Sequence, residues 1–301
     1  MNNSQSISKS FSFASKVKDY MVLTKFRLSI TVVISGLLGY LFGTPYGSFD
    51  LTTFLLFILS GSLITFSANA LNEIIEKDTD ALMDRTKNRP LPTLSMNVSE
   101  ALFSAGVMGV AGLLILWLKF SSLAAILGAI SILSYAFIYT PLKKVSSIAV
   151  FVGAIPGALP PAIGYVCSSY PMYFDYKIVA LLFFIQFLWQ FPHFWAIAWL
   201  RYEDYLKAGI MMLPSATGKT KFSAVHALIY TAFLLVISYL PFTFGFINTI
   251  GASVVIVCGV VYLWTATQFY FKCDDKSAKR LLFFSFLYLP VVQLAMVLGK
   301  I

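Results

Sequence analysis

Charge is scarce in this chain. Only 12% of its 301 residues are Asp, Glu, Lys or Arg, while 58% are hydrophobic, a balance that belongs to polytopic membrane proteins rather than soluble domains. Acidic residues are the rarer sign, 13 against 22 Lys and Arg, for a formal net charge of +9. In a soluble protein that surplus would point to nucleic acid. In so apolar a chain, basic loops that orient membrane helices account for it, and a nucleic-acid partner is not expected. Cysteine is nearly missing: Cys167, Cys258 and Cys273 stand apart with no CxxC or CxxCH, which removes a disulfide framework, a zinc site and covalent haem attachment. The first 20 residues contain no apolar stretch of the secretory type and no arginine. Those two absences argue against a cleaved signal and against a mitochondrial transit peptide. The expected location is therefore the bacterial inner (plasma) membrane, before the mitochondrial inner membrane.

What is abundant is membrane-length hydrocarbon. Apolar runs fall near 22–43, 51–71, 98–118, 121–140, 147–166, 177–200, 222–246, 249–271 and 281–299, each long enough to cross a bilayer. The expected fold is an all-α bundle of nine transmembrane helices in one domain, residues 22–301, after a tail of residues 1–21. The 28 Phe and 16 Tyr suit lipid-facing and interfacial positions. Glycine and proline cluster in GAIPGALPPAIG (153–164), which predicts a broken or kinked fifth span, tolerated where backbone is buried in protein or lines a cavity. Of the 22 basic residues, 19 fall on alternate connections, leaving Lys119, Lys177 and Lys300 for the other side. This asymmetry predicts a cytoplasmic N-terminus and an external C-terminus.

One stretch does not fit the oil around it. Residues 69–92, NALNEIIEKDTDALMDRTKNRPLP, hold five of the 13 acidic residues and four basic ones, joined directly to the second apolar run. Asn72, Glu76 and Asp80 are spaced four and four, so they share a helical face; Asp84 extends the row and Asp78 falls off it. An amide oxygen and carboxylates in a row are hard ligands of the type Mg²⁺ takes, the remaining shell being water and phosphate. Arg85, Lys87 and Arg89 follow and suit phosphate oxygens. Pro90 is expected to stop the helix and bias Arg89 to extended backbone, so that the basic residues fold back over the mouth. Together these describe a site for a metal and a diphosphate. Two other clusters share that side: YTPLKK (139–144), and WQFPHFWAIAWLRYEDYLKAGIMMLP (189–214), which carries His193, Glu203 and Asp204. Read alone, His193 is either a polar contact between helices or a ligating or proton-transferring group. His226 reads as packing, and Lys143 and Lys144 double as positive-inside anchors.

Asn72-x3-Glu76-x3-Asp80, followed by Arg85-Thr86 and Asn88-Arg89-Pro90-Leu91-Pro92, resembles the first aspartate-rich motif of the UbiA-type intramembrane prenyltransferases. Tyr139-x-Pro141-Leu142-Lys143-Lys144 resembles the next basic segment of that family. GAIPGALPPAIGY (153–165), WQFPHFWAIAW (189–199) and DYLKAGIMMLP (204–214) resemble the subgroup that farnesylates protohaem IX. The likeness runs from about residue 20 to 299. Glu76 stands where the family usually has aspartate, and the second motif, commonly two aspartates four apart, is represented here by the adjacent Glu203 and Asp204.

The resemblance implies a nine-helix, Mg²⁺-dependent enzyme working in the lipid bilayer. It implies transfer of farnesyl from farnesyl diphosphate to a vinyl group of protohaem IX (haem B as substrate, not prosthetic group). A downstream haem A synthase is a conceivable partner. It further implies metal ligation by Asn72, Glu76 and Asp80, with Glu203 or Asp204 on the opposite wall and Asp204 as a further ligand. Arg85, Arg89, Lys143 and Lys144 become anion clamps, Tyr139 part of an aromatic chamber, and His193 a haem-binding residue. A quinone-precursor or other aromatic acceptor, and a non-enzymatic transporter, remain alternatives at this point.

Overall fold

The second apolar run and the polar stretch that follows it form one helix, and its length sets the position of everything polar. The computed structural model describes residues 13–169, 174–215 and 217–301; the first 12 residues of the expected tail lie outside them. Among the described residues nine helices are long and apolar enough to cross a membrane, as the sequence predicts. The first part of the chain runs α1 (Phe13–Leu23), α2 (Phe26–Gly43), α3 (Leu51–Asp80), α4 (Val98–Lys119) and α5 (Ser122–Leu133). A π-helical turn, Ser134–Tyr139, continues α5 into the short α6 (Thr140–Leu142). There follow α7 (Ala149–Ser169), α8 (Tyr176–Leu200), the short α9 (Tyr202–Lys207), α10 (Lys221–Thr243), α11 (Thr249–Lys272) and α12 (Asp275–Leu298).

At about 1.5 Å per residue the 30 residues of α3 reach roughly 45 Å, against a hydrocarbon layer of about 30 Å. Its last turns therefore stand clear of the hydrocarbon, and they are the turns carrying Asn72 to Asp80. Asp50 starts the helix by accepting the Thr53 N–H at 2.6 Å, a side-chain cap on an otherwise orphaned donor. The end comes at Asp80, ten residues before Pro90, so proline is not what stops it. The chain turns back there because the Thr86 hydroxyl takes the Asp80 carbonyl at 2.9 Å, and Arg89 returns to the Asp80 side chain. In consequence Asp84 leaves the row it was expected to extend.

Two other expectations change. The tail is helical from residue 13, and its helix runs on to residue 23: α1 packs on the start of α4, with Lys16 Nζ 2.8 Å from Glu100 and Tyr20 bonded to both Glu100 and Ser104. The first span accordingly begins at Phe26, after a break at Lys25. The last span starts six residues early, at Asp275, because Asp274 caps it by accepting the Ser277 N–H at 2.7 Å. Lys276, Lys279 and Arg280 then sit on its first turns rather than in a loop.

The fifth span, α7, is continuous through Pro156, Pro160 and Pro161, where a break or kink was expected. A proline withholds the N–H that its i−4 carbonyl would accept, so Pro161 frees the Gly157 carbonyl. Gln186 of α8 supplies the missing donor at 2.6 Å. Its Oε1 in turn accepts from Ser35 of α2 and from Gln293 of α12, the latter at 2.9 Å. One amide thus repairs α7 and ties three other helices to it, the kind of compensation that lets proline persist in a span. Packing of α2 on α7 is equally close. A Cβ at Gly39 would lie 2.1 Å from the Pro161 carbonyl oxygen, and one at Gly164 would lie 2.0 Å from the Gly36 oxygen. Only glycine lets backbones meet at that range.

At the end of the bundle remote from Asp80, Lys300 donates to the carbonyls of Leu41 (3.0 Å) and Thr44 and lies 4.7 Å from the Tyr46 ring. The last residues thereby close the C-terminus of α2, a favourable place for a cation. The Gly39→Ala variant is expected to lose about 1–3 kcal/mol of stability from overpacking, measured as a lower unfolding temperature of the detergent-solubilised protein. Gly61→Ala, where a Cβ meets nothing within 4 Å, is expected to leave it unchanged.

Candidate active site

The end of α3 turns a wall of side chains inward. Asn72, Glu73, Glu76 and Asp80 are all buried, with Glu73 and Asp80 each 1% exposed, while Asp78 is on the exposed side. A buried carboxylate is tolerated when a cation meets it, and here each cation comes from a different part of the chain. Arg89, on the returning loop, places Nη1 2.7 Å from Asp80 Oδ2 and Nε 3.3 Å from Glu73 Oε1. Lys143, just past α6, places Nζ 2.5 Å from Glu76 Oε1. Lys25, between α1 and α2, donates to Asn72 Oδ1.

Local structure explains each arrival. Lys25 has φ 47°, a left-handed conformation that is costly for a residue with a Cβ. That turn separates α1 from α2 and brings the ammonium group to α3. Thr140 follows the π-helical turn and bonds the Tyr135 carbonyl five residues back, at 2.8 Å. Its hydroxyl also receives Asn72 Nδ2 at 2.8 Å, so the extra residue of the turn sets both Asn72 and the approach of Lys143. Turns of this kind recur at functional positions. Tyr139 is buried on the same turn, with Lys143 Nζ 4.7 Å above its ring and the Tyr135 ring tilted against it at 5.4 Å.

Three acidic side chains, Glu73, Glu76 and Asp80, thus face three basic ones, Lys25, Arg89 and Lys143. Burial works against the Arg89 charge, but the Glu73 and Asp80 carboxylates more than offset it and hold its pKa above the ordinary value. Lys25 goes the other way: burial, with repulsion from Arg89, lowers it despite the carboxylates opposite.

The second acidic cluster forms a separate, more open feature. Asp84, Arg85, Leu200, Arg201, Glu203, Asp204 and Lys207 line a cleft of about 490 Å³. Asp204 Oδ1 accepts the Asp84 backbone N–H at 2.9 Å, and Lys207 joins Asp84 to Asp204. Hydrogen bonds from Lys207 and Lys87 pull the Asp84 carboxyl down to about 2. Asp204 thus grips the loop that follows α3. Arg85, Glu203 and Lys144 are exposed, and among the described residues none of the three joins the buried ion-pair network.

His193 is buried in α8. Its Nδ1 meets Ser285 Oγ of α12 at 2.7 Å, its ring stacks on Trp189 at 4.6 Å, and Phe286 approaches edge-on at 4.9 Å. These are the contacts of a residue packed between two helices. His226 is half-buried and bonds the Phe222 carbonyl of its own helix.

Hard oxygen donors on one buried wall suit a Mg²⁺-type ion. Glu73 strengthens the match, because both its carboxylate oxygens are buried and, among the described residues, accept no hydrogen bond; its ion pair with Arg89 lacks hydrogen-bond geometry. No three His, Cys, Asp or Glu side chains converge closely enough to grip an ion among the described residues, since the lysines and arginine stand between them. Two members of this wall, Glu73 and Lys25, escape the four-residue spacing rule. Glu73 could be found by admitting the three-residue step to Glu76, which shares the same helical face. Lys25 is 47 residues from Asn72 in sequence and carries no local signal.

The sequence matches the UbiA prenyltransferase family over residues 32–288. A protein named protoheme IX farnesyltransferase from Cytophaga hutchinsonii is 44% identical over 288 residues, covering 96% of this chain and 99% of that one. One of the same name from Flavobacterium psychrophilum is 43% identical, covering 94% of each. Among solved structures, a digeranylgeranylglyceryl phosphate synthase superposes with a TM-score of 0.79 at 20% identity, over 95% of this chain and 98% of that one. A UbiA homologue from Archaeoglobus fulgidus bound to GPP and Mg²⁺ gives 0.70 at 17% identity, over 92% and 99%. At such identities the structures speak for the fold alone.

Arg89→Ala leaves Glu73 and Asp80 buried without a cation. It is expected to cost about 3–5 kcal/mol and to lower the unfolding temperature in detergent sharply. Lys87→Ala, at an exposed pair with Asp84, is expected to leave that temperature unchanged.

Proposed function

Since the chain belongs to the UbiA prenyltransferase family, we propose that it transfers a farnesyl group from farnesyl diphosphate to a vinyl group of protohaem IX, yielding haem O and diphosphate. The observation that carries the diphosphate half is the buried wall of Asn72, Glu76 and Asp80 facing Lys25, Arg89 and Lys143. The acceptor half is supported by near-full-length relatives named for that reaction. Prenyl transfer accounts for the polar mouth where a transporter would need charge along its helices.

The wall is read as cytoplasmic, the membrane as the bacterial plasma membrane, and residues 22–301 as one catalytic domain. Asn72, Glu76 and Asp80 would hold the divalent ion, with Asp204 approaching from the second cluster; when bound, such an ion supplies positive charge against the leaving diphosphate. Arg89 and Lys143 sit beside those oxygens and are suited to turn onto phosphate, where charge-assisted bonds strengthen as negative charge accumulates on the leaving group. Arg85 and Lys144, exposed at the same mouth, are read as outer members of that clamp. Breaking the farnesyl–oxygen bond sends its electron pair to the diphosphate and leaves an allylic cation.

Below the wall, Tyr139 and Tyr135 present ring faces able to stabilise that cation while excluding water. The vinyl π electrons then form the new carbon–carbon bond. Water adds to the resulting cation with loss of a proton, giving a hydroxyethylfarnesyl side chain. A haem-modifying enzyme that next oxidises this product, of the haem A synthase kind, is the natural downstream partner. His193 remains the proposed haem contact on α8, and its packed environment favours an edge contact with the porphyrin over ligation of iron.

Mass spectrometry of haem extracted from cells expressing the chain is the direct test. A gain equal to farnesyl plus a hydroxyl group is expected, and an unmodified haem pool would refute the acceptor. Asp80→Ala is expected to lose diphosphate release by about 100-fold or more, the scale of removing one preorganised electrostatic contact in a transition state. His193→Ala is expected to weaken haem binding without altering the optical spectrum of bound haem; loss of a ligand band would restore axial ligation.

A further inference from the structure

The chain has two histidines, and they are placed differently. His193 is packed between α8 and α12, whereas His226 lies half-buried in the second turn of α10. It is five residues, or roughly 7.5 Å, below the start of that helix. Its Nδ1 is 2.8 Å from the Phe222 carbonyl oxygen. A carbonyl can only accept, so Nδ1 carries the proton and the neutral ring keeps a lone pair on Nε2. That nitrogen has no hydrogen-bond partner among the described residues. Hydrocarbon offers it none either, and a polar group left this way on a membrane-spanning helix is costly. A backbone carbonyl on one ring nitrogen and a lone pair on the other is the arrangement that orients a metal-ligating histidine.

The surface around this nitrogen suits a flat aromatic ligand. Phe222, His226, Ile229 and Phe233 follow at steps of four, three and four, so they share one face of α10. Ala224, Ala227, Thr231 and Leu234 are buried on the other side, while Phe222 is 56% and Phe233 57% exposed. The Phe222 ring lies 4.4 Å from the imidazole, and Trp195 of α8 meets it edge-on at 5.8 Å. Tyr230 extends the patch, 5.2 Å from Trp195. At the same end of the bundle Arg201 and Lys221 are exposed and form no ion pair among the described residues. Building on the haem-acceptor reading above, we propose that this face is a docking site for a metalloporphyrin, apart from the carboxylate wall. His226 Nε2 ligates the iron, the aromatic rings pack on the macrocycle, and Arg201 and Lys221 are the cations available to its carboxylates. The new bond is a coordinate one from the Nε2 lone pair, and no proton or electron moves. Such a site takes haem directly from the bilayer.

The test uses the full chain without a histidine tag, in nanodiscs of phosphatidylcholine, with empty nanodiscs as the blank. Ferrous haem B is added without oxygen, and the iron–histidine stretching band is recorded by resonance Raman spectroscopy. The wild type and His193→Ala are expected to show the band, and His226→Gln is expected to lose it. His226→Gly is expected to regain it with added imidazole, at a concentration that produces no band in empty nanodiscs; a packing role for the ring would give no such rescue. Absence of the band in the wild type overturns the proposal. A band that survives His226→Gln, or that disappears from a monodisperse His193→Ala protein, also overturns it. The band reports on His226 whether or not farnesyl is transferred. A chain that shows it in nanodiscs yet leaves cellular haem unmodified loses the acceptor reading and keeps the docking site.

Discussion

Ionised groups cannot remain buried away from water without partners, and the architecture around the end of α3 follows from that constraint. Glu73, Glu76 and Asp80 are buried within a few residues of membrane-spanning helix. Their cations are recruited from the α1–α2 break, from the loop after α3 and from the turn after α6. The left-handed backbone at Lys25 and the π-helical turn before Thr140 are both local departures from regular helix that end in a contact with Asn72. Strain of this type persists where surrounding contacts over-determine it. Here those contacts are ion pairs and amide hydrogen bonds at the mouth of the bundle.

The same logic applies deeper in the bundle, with hydrogen bonds in place of ion pairs. Prolines in α7 leave a backbone acceptor that lipid cannot satisfy, and Gln186 satisfies it from the neighbouring helix. Glycines on both helices bring α2 and α7 into backbone contact at the same level. The result is a heavily buried α7 that can carry three prolines without breaking. A rigid central helix of this sort supports Tyr139, whose ring rests against Gly153, and so fixes the floor beneath the carboxylate wall.

Two polar clusters that are separate in sequence therefore meet different fates. The Asn72–Asp80 row is buried and paired, whereas Glu203 and Asp204 stand at an open cleft where Asp204 and Lys207 fasten the loop after α3. That loop also carries Arg89 into the wall. Its fastening connects the outer cluster to the inner one, and makes the position of Arg89 depend on α9 as well as on α3.

Much of this was legible in one dimension. Nine apolar runs, the row Asn72-Glu76-Asp80 and the exclusion of Asp78 follow from span length and helical periodicity, which depend on local geometry alone. The family likeness is carried by residues contiguous in the chain. Tertiary structure decided the rest. Proline spacing implied a broken α7, and a glutamine 29 residues away kept it whole. A four-residue row implied that Asp84 would join the wall, and the turn closed by Thr86 sent it to the other cluster. Glu73 and Lys25 became members of the site because burial demands a charge partner wherever one can reach, and periodicity within one helix cannot say which distant lysine will arrive.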